Sequence, residues 1–243
     1  MIKDKFLKEL KIERKVFDDR TLLAIYKLMV RGFVKTVGGM MKEGKESLVL
    51  SAKNKEGRWI ALKVYKTSHC DFKSMWKYLV GDPRFSGIKK KRRLVVYKWC
   101  RREYRNLKIA SEAGVSCPKP IAFYENVLVL SFIGKNGKLA PMLKNLRFGL
   151  KDAKTVYSSI LRQVRKLTKA GLVHSDLSAY NILFLDKPYM IDFSQAVPLK
   201  HPLAKEFLLK DLKNLNSYFK RLGVKVKDPE LMLNSLLKIG RWE

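Results

Sequence analysis

Between Leu172 and Asp192 the chain reads LVHSDLSAYNILFLDKPYMID, and no other stretch constrains its fold as tightly. Four residues separate Asp176 from Asn181. An apolar run, a turn signal at Asp186-Lys187-Pro188 and a second apolar run then lead to Asp192. The pattern predicts a loop, a strand, a tight turn and a strand. Such a hairpin brings its ends together, so Asn181 and Asp192 are expected at one mouth, where an amide oxygen and a carboxylate could share a divalent cation. Asp176, just before them, would meet an incoming hydroxyl, the layout that phosphoryl transfer needs. Taken singly, each residue has a plainer reading: His174 as a structural histidine, Asp176 as a helix cap or turn residue, Asp192 as a strand end.

The chain around this stretch changes period twice. Ile2 to Leu10 and Thr21 to Val30 carry helical spacing, the latter at Leu22, Ile25, Tyr26 and Met29, and predict a pair of N-terminal helices. A DNA-reading helix-turn-helix is the alternative, which the shortness of the segment disfavours. From Gly38 the period becomes two: strand, glycine-bearing turn, strand, a hairpin at Asn54 to Gly57, and a third strand through Ile60-Ala61-Leu62-Lys63. Gly39 to Glu46 nearly matches a P-loop, but Glu46 stands where the magnesium-binding hydroxyl belongs and a strand-like Leu48-Val49-Leu50 follows, so that reading fails. The turn at Gly44 can instead cover phosphates from above, as kinase glycine-rich loops do, although G-x-G-x-x-G is absent. Lys63, charged and at the end of an apolar strand, requires a carboxylate or a phosphate. Glu103, the one acid in the helical run KWCRREYRNLKIASEAG, can pair with its own basic neighbours or reach Lys63. Beyond the rigid Cys117-Pro118-Lys119-Pro120, a hairpin is expected to turn at Glu125-Asn126, with its second strand running to Gly134 as a connector whose backbone could pair with a purine edge. Helices are predicted at Asp152 to Ala170, Pro202 to Leu222 and Pro229 to Ile239.

Charge points to a partner. The 243 residues include 52 Lys and Arg against 22 Asp and Glu, a net charge of +30, which calls for a polyanion and first of all RNA. Residues 66–98 form a long irregular insertion ending in Lys89-Lys90-Lys91-Arg92-Arg93; it reads equally as a solvated face or as interleaved aromatics and cations suited to RNA. No apolar run approaches the roughly 20 residues a membrane span needs. The start MIKDKFLKELKIERK is charged throughout, unlike a signal peptide, and three cysteines without ligand spacing suit a reducing cytoplasm.

Taken in order, GKES at 44–47, ALKVYKTS at 61–68, REYRNL at 102–107, LVLSFIGKNG at 128–137, VHSDLSAYN at 173–181 and IDFSQAV at 191–197 resemble the atypical RIO protein kinases, first subfamily, from about Thr21 to Val224. The resemblance implies an α+β, bilobal, minimal kinase-like fold. N-terminal helices over 1–37 would pack on an antiparallel-sheet N-lobe over 38–130, followed by a reduced, mostly helical C-lobe over 131–243. It also implies roles. Lys63 would hold the ATP phosphates and pair with Glu103; the loop with Gly44, Lys45 and Ser47 would cover them; Ser131 and Ile133 would meet adenine; Asp176 would be the catalytic aspartate; Asn181 and Asp192 would ligate Mg2+, with Mn2+ as a substitute.

Some positions depart from the usual kinase pattern. Ser175 stands where arginine is usual and Ser194 where glycine follows Asp-Phe, both in keeping with the RIO pattern, while Lys42-Glu43 replace the loop's usual Ser-Thr. The 51 residues after Asp192 are expected to hold neither an A-P-E motif nor a peptide-docking region. Two functions follow as expectations: a serine/threonine kinase acting on itself or a ribosomal partner, or an ATP-driven assembly factor whose release from a pre-ribosomal particle is timed by hydrolysis, through phosphorylation of Asp192. A small-molecule phosphotransferase of related fold is a third reading that the basic surface disfavours.

Overall fold

The computed structural model describes residues 17–67, 75, 78, 82 and 91–240, in two compact units. The helix expected at Ile2 to Leu10, the cations Lys89 and Lys90, and most of the irregular insertion lie outside these residues. Among the described residues the first unit takes in 17–67, 91–104 and 119–139, and the second takes in 75, 78, 82, 105–118 and 140–240.

The first unit opens with helix α1 (Asp19–Val30), capped by the Asp18 carboxylate, which accepts the Thr21 N–H at 2.8 Å. Leu22, Ala24, Ile25 and Leu28 form its buried stripe. Gly32, at φ 81°, supplies the left-handed turn that leads out of it. The period-two stretch then forms β1 (Thr36–Glu43), β2 (Ser47–Lys53) and β3 (Trp59–Tyr65). Helix α2 (Arg92–Glu112), β4 (Pro120–Tyr124) and β5 (Val127–Ser131) follow, giving one antiparallel sheet in the order β1-β2-β3-β5-β4. Alternation explains which side chains go where. Leu48, Leu50, Ala52, Ile60, Leu62 and Val64 share a core with Ala24, Ile25 and Leu28, while the intervening Ala61, Lys63 and Tyr65 face the other way and are also buried. A polar tie lies in this unit: Asn126 donates to Thr21 Oγ1 at 2.9 Å and to the Tyr65 carbonyl at 2.8 Å.

Two boundaries differ from the sequence reading by three residues or more. Helix α2 begins at Arg92, six residues before Lys98, because Val95, Val96 and Trp99 continue the buried face backwards into the basic run. Strand β5 ends at Ser131 rather than Gly134; β6 (Gly134–Lys135) and β7 (Lys138–Leu139) form a separate hairpin turning through Asn136 and Gly137, at φ 50° and 76°. An Asn-Gly pair with both residues at positive φ is what a two-residue hairpin turn requires.

The second unit is mostly helical. Helices α3 (Leu150–Lys169), α4 (Ala204–Arg221) and α5 (Pro229–Leu237) stand beside small antiparallel pieces: β8 (Leu172–Val173) with β11 (Val197–Pro198), and β9 (Ile182–Phe184) with β10 (Pro188–Met190). Val156, Ile160, Val164 and Leu167 of α3 and Leu208, Leu212, Leu215 and Phe219 of α4 are buried at helical spacing. The Tyr157 ring meets Phe219 at 5.1 Å, and its hydroxyl donates to Asn216 at 2.7 Å. The architecture is α+β, and no described helix is long and apolar enough to cross a membrane.

Candidate active site

In the first unit, Lys63 sits mid-sheet, its backbone in register with Val49 on β2 and Leu128 on β5. A lysine there has no water to hold its charge. Its Nζ lies 2.8 Å from Glu103 Oε1 on α2, with side-chain exposures of 7% and 1%, so of the two readings of Glu103 the structure takes the long-range one. The Tyr65 hydroxyl donates to the second carboxylate oxygen, Oε2. Glu103 is therefore held at both oxygens, which fixes where the Lys63 ammonium points. The turn between β1 and β2 is tight: the Gly44 N–H donates to the Ser47 carbonyl at 2.8 Å, and Lys45 stands exposed at its tip. Glu43 pairs with Lys66 at 2.7 Å. At the end of β5 the Ser131 N–H donates to the Lys119 carbonyl at 2.9 Å; Ile133, two residues on, is buried.

In the second unit the hairpin forms as predicted, with Ile182 opposite Met190 and Phe184 opposite Pro188. The Ile191 N–H donates to the Asn181 carbonyl at 2.9 Å, which brings Asp192 next to Asn181. The Asn181 amide clasps Asp176, donating to its carbonyl at 2.8 Å and to Oδ2 at 2.9 Å. That leaves the amide oxygen of Asn181 directed elsewhere. Burial, and secondarily the charge of Asp192, raise the Asp176 carboxyl above the usual carboxylate range, against the pull of Lys210 and of the Asn181 bond. His174 is structural: Nε2 faces the Ile191 carbonyl at 3.1 Å and so carries the proton, and the ring packs on Phe193 at 4.7 Å.

Three supporting residues were not singled out from the sequence, and Ser194 was named there only as a departure from the usual kinase pattern. Asp211, 1% exposed on α4, accepts the Ser175 N–H on Oδ2 and the Leu177 N–H on Oδ1, both at 2.8 Å, and thereby grips the loop on either side of Asp176. Ser175 sits at φ 70°, a conformation that an L-residue holds only when its surroundings insist. Burial, against the pull of the two N–H donors, leaves the Asp211 carboxyl raised to about 8. Asn106 donates to the carbonyls of Phe193 and Ala196 at 2.9 and 2.8 Å, pinning the turn after Asp192. Asp192 itself is left-handed, φ 64° and ψ 70°, and the Ser194 hydroxyl donates to its Oδ1 at 2.7 Å. Tyr65 completes the three. A signal existed for Asp211, a lone carboxylate in the apolar stripe Leu208, Leu212, Leu215.

Asn181 and Asp192 offer hard oxygen donors, an amide and a carboxylate, and the described residues contain no cluster of three or more His, Cys, Asp or Glu. That set suits an ion that keeps waters and phosphate oxygens as its other ligands, the habit of Mg2+.

A sequence model of the RIO domain matches residues 48–232. The chain belongs to the RIO family. It is 41% identical over 216 residues to the RIO-type serine/threonine-protein kinase Rio1 of Haloferax volcanii, covering 88% of this chain and 74% of that one. The Rio1 kinase of Methanocaldococcus jannaschii is 42% identical over 223 residues, covering 90% and 75%. Human serine/threonine-protein kinase RIO1 is 40% identical over 215 residues, but the chain spans only 38% of its length. Among solved structures, the Rio2 kinase-ADP/Mg2+-phosphoaspartate complex of Chaetomium thermophilum superposes with a TM-score of 0.71 at 22% identity, covering 90% of this chain and 66% of that one. This RIO chain thus has the minimal kinase-like fold, and its enzyme class is protein serine/threonine kinase.

Proposed function

We propose that the chain transfers the γ-phosphoryl group of ATP, with Mg2+, to a serine or threonine hydroxyl, and that it works in the cytoplasm on an RNA-rich particle, the maturing small ribosomal subunit. The observation that carries the chemistry is the clasp of Asn181 on Asp176 at 2.9 Å, beside Asp192. Asp176 orients the acceptor hydroxyl, and its raised affinity for protons makes it a better proton acceptor than a free carboxylate. Lys63, aimed by Glu103, holds nucleotide phosphates and offsets their charge. Asn181 and Asp192 would hold the metal, which when bound neutralises charge on the phosphates. Ser131 and Ile133 would seat the adenine, and the Gly44, Lys45, Ser47 turn would lie over the phosphates.

The net charge of +30 supports the RNA-rich partner. Within the basic run, Lys91 and Arg92 are exposed, and Arg93 lies 3.1 Å from Asp18. Replacing Lys91 and Arg92 by alanine should lower the slope of log K against log salt for single-stranded RNA by about 0.7 for each phosphate no longer neutralised, and an unchanged slope would remove this patch from the interface. Cys100 and Cys117 are buried free thiols, in keeping with a reducing compartment.

A second reading is favoured by the Rio2 kinase-ADP/Mg2+-phosphoaspartate complex of Chaetomium thermophilum. In it Asp192 accepts the phosphoryl group itself, and loss of that phosphate times release from RNA. Incubation with γ-labelled ATP and pre-ribosomal particles separates the two. Label stable in acid and to hydroxylamine marks a hydroxyl acceptor, and label released by hydroxylamine marks an acyl phosphate, which peptide mapping of the hydroxamate assigns to Asp192. No protein-bound label and no released phosphate would overturn both.

A further inference from the structure

We infer that Ser194 is a positioning residue that sets the lifetime of a phosphorylated Asp192. The inference rests on the reading in which Asp192 accepts the phosphoryl group. Ser194 is 4% exposed, and its hydroxyl donates to Asp192 Oδ1 at 2.7 Å. The backbone around it is pinned: Asn106 holds the carbonyls of Phe193 and Ala196, and the left-handed Asp192 turns its carboxylate back toward the serine. A glycine in place of Ser194 would leave Oδ1 without this donor.

The chemistry makes that donor matter. In the forward step Asp192 Oδ2 attacks the γ-phosphorus, the bond to the β,γ-bridging oxygen breaks, and ADP leaves with the electron pair. Oδ1 becomes the carbonyl oxygen of the acyl phosphate, with the Ser194 hydroxyl against it. In the second step a water oxygen attacks phosphorus and the P–Oδ2 bond breaks. The electron pair returns to the Asp192 carboxylate, and inorganic phosphate leaves with a proton released to solvent. As that bond breaks, negative charge grows over both carboxylate oxygens. A hydrogen bond already aimed at Oδ1 strengthens as the charge develops, so it speeds loss of the phosphate. The same bond stabilises the free carboxylate and does nothing to speed its attack. Ser194 therefore shortens the phosphorylated state rather than promoting its formation.

The test is a single turnover of the full chain with γ-labelled ATP, a chase with excess unlabelled ATP, and the decay of hydroxylamine-labile label on the protein. Ser194→Ala should hold its label about tenfold longer than the wild type, as expected for one hydrogen bond to a developing charge. Ser194→Thr, which keeps the hydroxyl, should decay near the wild-type rate, and the affinity for ATP should be alike in all three. Ser194→Gly repeats the hydroxyl deletion without a side chain should the alanine variant fold poorly. Wild-type decay in Ser194→Ala, or equal slowing in Ser194→Thr, overturns the inference while leaving Asp192 as acceptor. A wild type that takes up no hydroxylamine-labile label overturns the acceptor reading, and this inference with it.

Discussion

Replacing Asp211 by asparagine should damage turnover through a residue that touches no substrate. Both Asp211 oxygens accept a backbone N–H at 2.8 Å, from Ser175 and from Leu177, and the side chain is 1% exposed. Asparagine keeps one acceptor and turns an NH2 group toward the other N–H, so two donors face each other in a buried site. Loss of one buried hydrogen bond, with a donor left unsatisfied, amounts to about 1–3 kcal/mol of stability. The larger effect is on the loop. Ser175 holds φ 70° with Asp211 gripping its N–H, and releasing that grip lets Asp176 move. A displacement on the order of 1 Å costs about a hundredfold in rate. Urea unfolding followed by far-UV circular dichroism reads the first quantity, and phosphate release from ATP at saturating nucleotide reads the second. Asp211→Asn should show a lower midpoint with unchanged slope, and a kcat reduced far more than KM. A variant that matches the wild type in kcat would show that Asp176 is positioned without Asp211, and would refute the role given to its grip on the loop.

Lys63→Met should cost about 3–5 kcal/mol of stability by leaving Glu103 charged and buried without its ammonium partner, and should abolish label transfer; an unaltered urea midpoint contradicts the burial argument. Tyr65→Phe removes the second hydrogen bond to Glu103 and should be milder, about 1–2 kcal/mol, readable in the same experiment. The pH dependence of stability has a defined sign. Asp176 and Asp211 both hold protons more tightly when folded than the unfolded chain does, so the native state binds the extra protons. Their contribution is present below about pH 3.9 and is lost as pH rises, for Asp211 through about 8. Urea midpoints taken from pH 4 to 8 should fall more steeply for the wild type than for Asp211→Asn. Equal slopes would mean that Asp211 is already ionised at pH 4.

Much of the scaffold was legible because it follows from period. The Leu22, Ile25 stripe gave α1, alternation from Gly38 gave β1 to β3, and Asp186-Lys187-Pro188 gave the turn between β9 and β10. The two ends that moved furthest did so where tertiary burial outweighed local pattern, at Arg92, and where the Asn136-Gly137 turn signal went unused. At the candidate site the sequence named the acid-amide-acid series and Lys63, but left Glu103 between two partners. Only the sheet register and the fold of α2 over β3 decide between them. Tyr65, Asn106 and Asp211 escaped because each acts on atoms 34 or more positions away in the chain. Ser194 was named from the sequence, but its contact with Asp192 was not. It is two residues from Asp192, yet only the left-handed backbone there brings hydroxyl and carboxylate together.

The proposed function stands or falls on whether Asp176, Asn181 and Asp192 form one phosphoryl-transfer centre. The decisive measurement is phosphoryl transfer from γ-labelled ATP in a single turnover, comparing the wild type with Asp176→Asn and Asp192→Asn at matched ATP occupancy. Release or transfer of label is expected in the wild type, with at least a hundredfold slower rate in both variants and the fold intact by circular dichroism. Transfer at the wild-type rate in either variant would show that the three residues do not act as one centre.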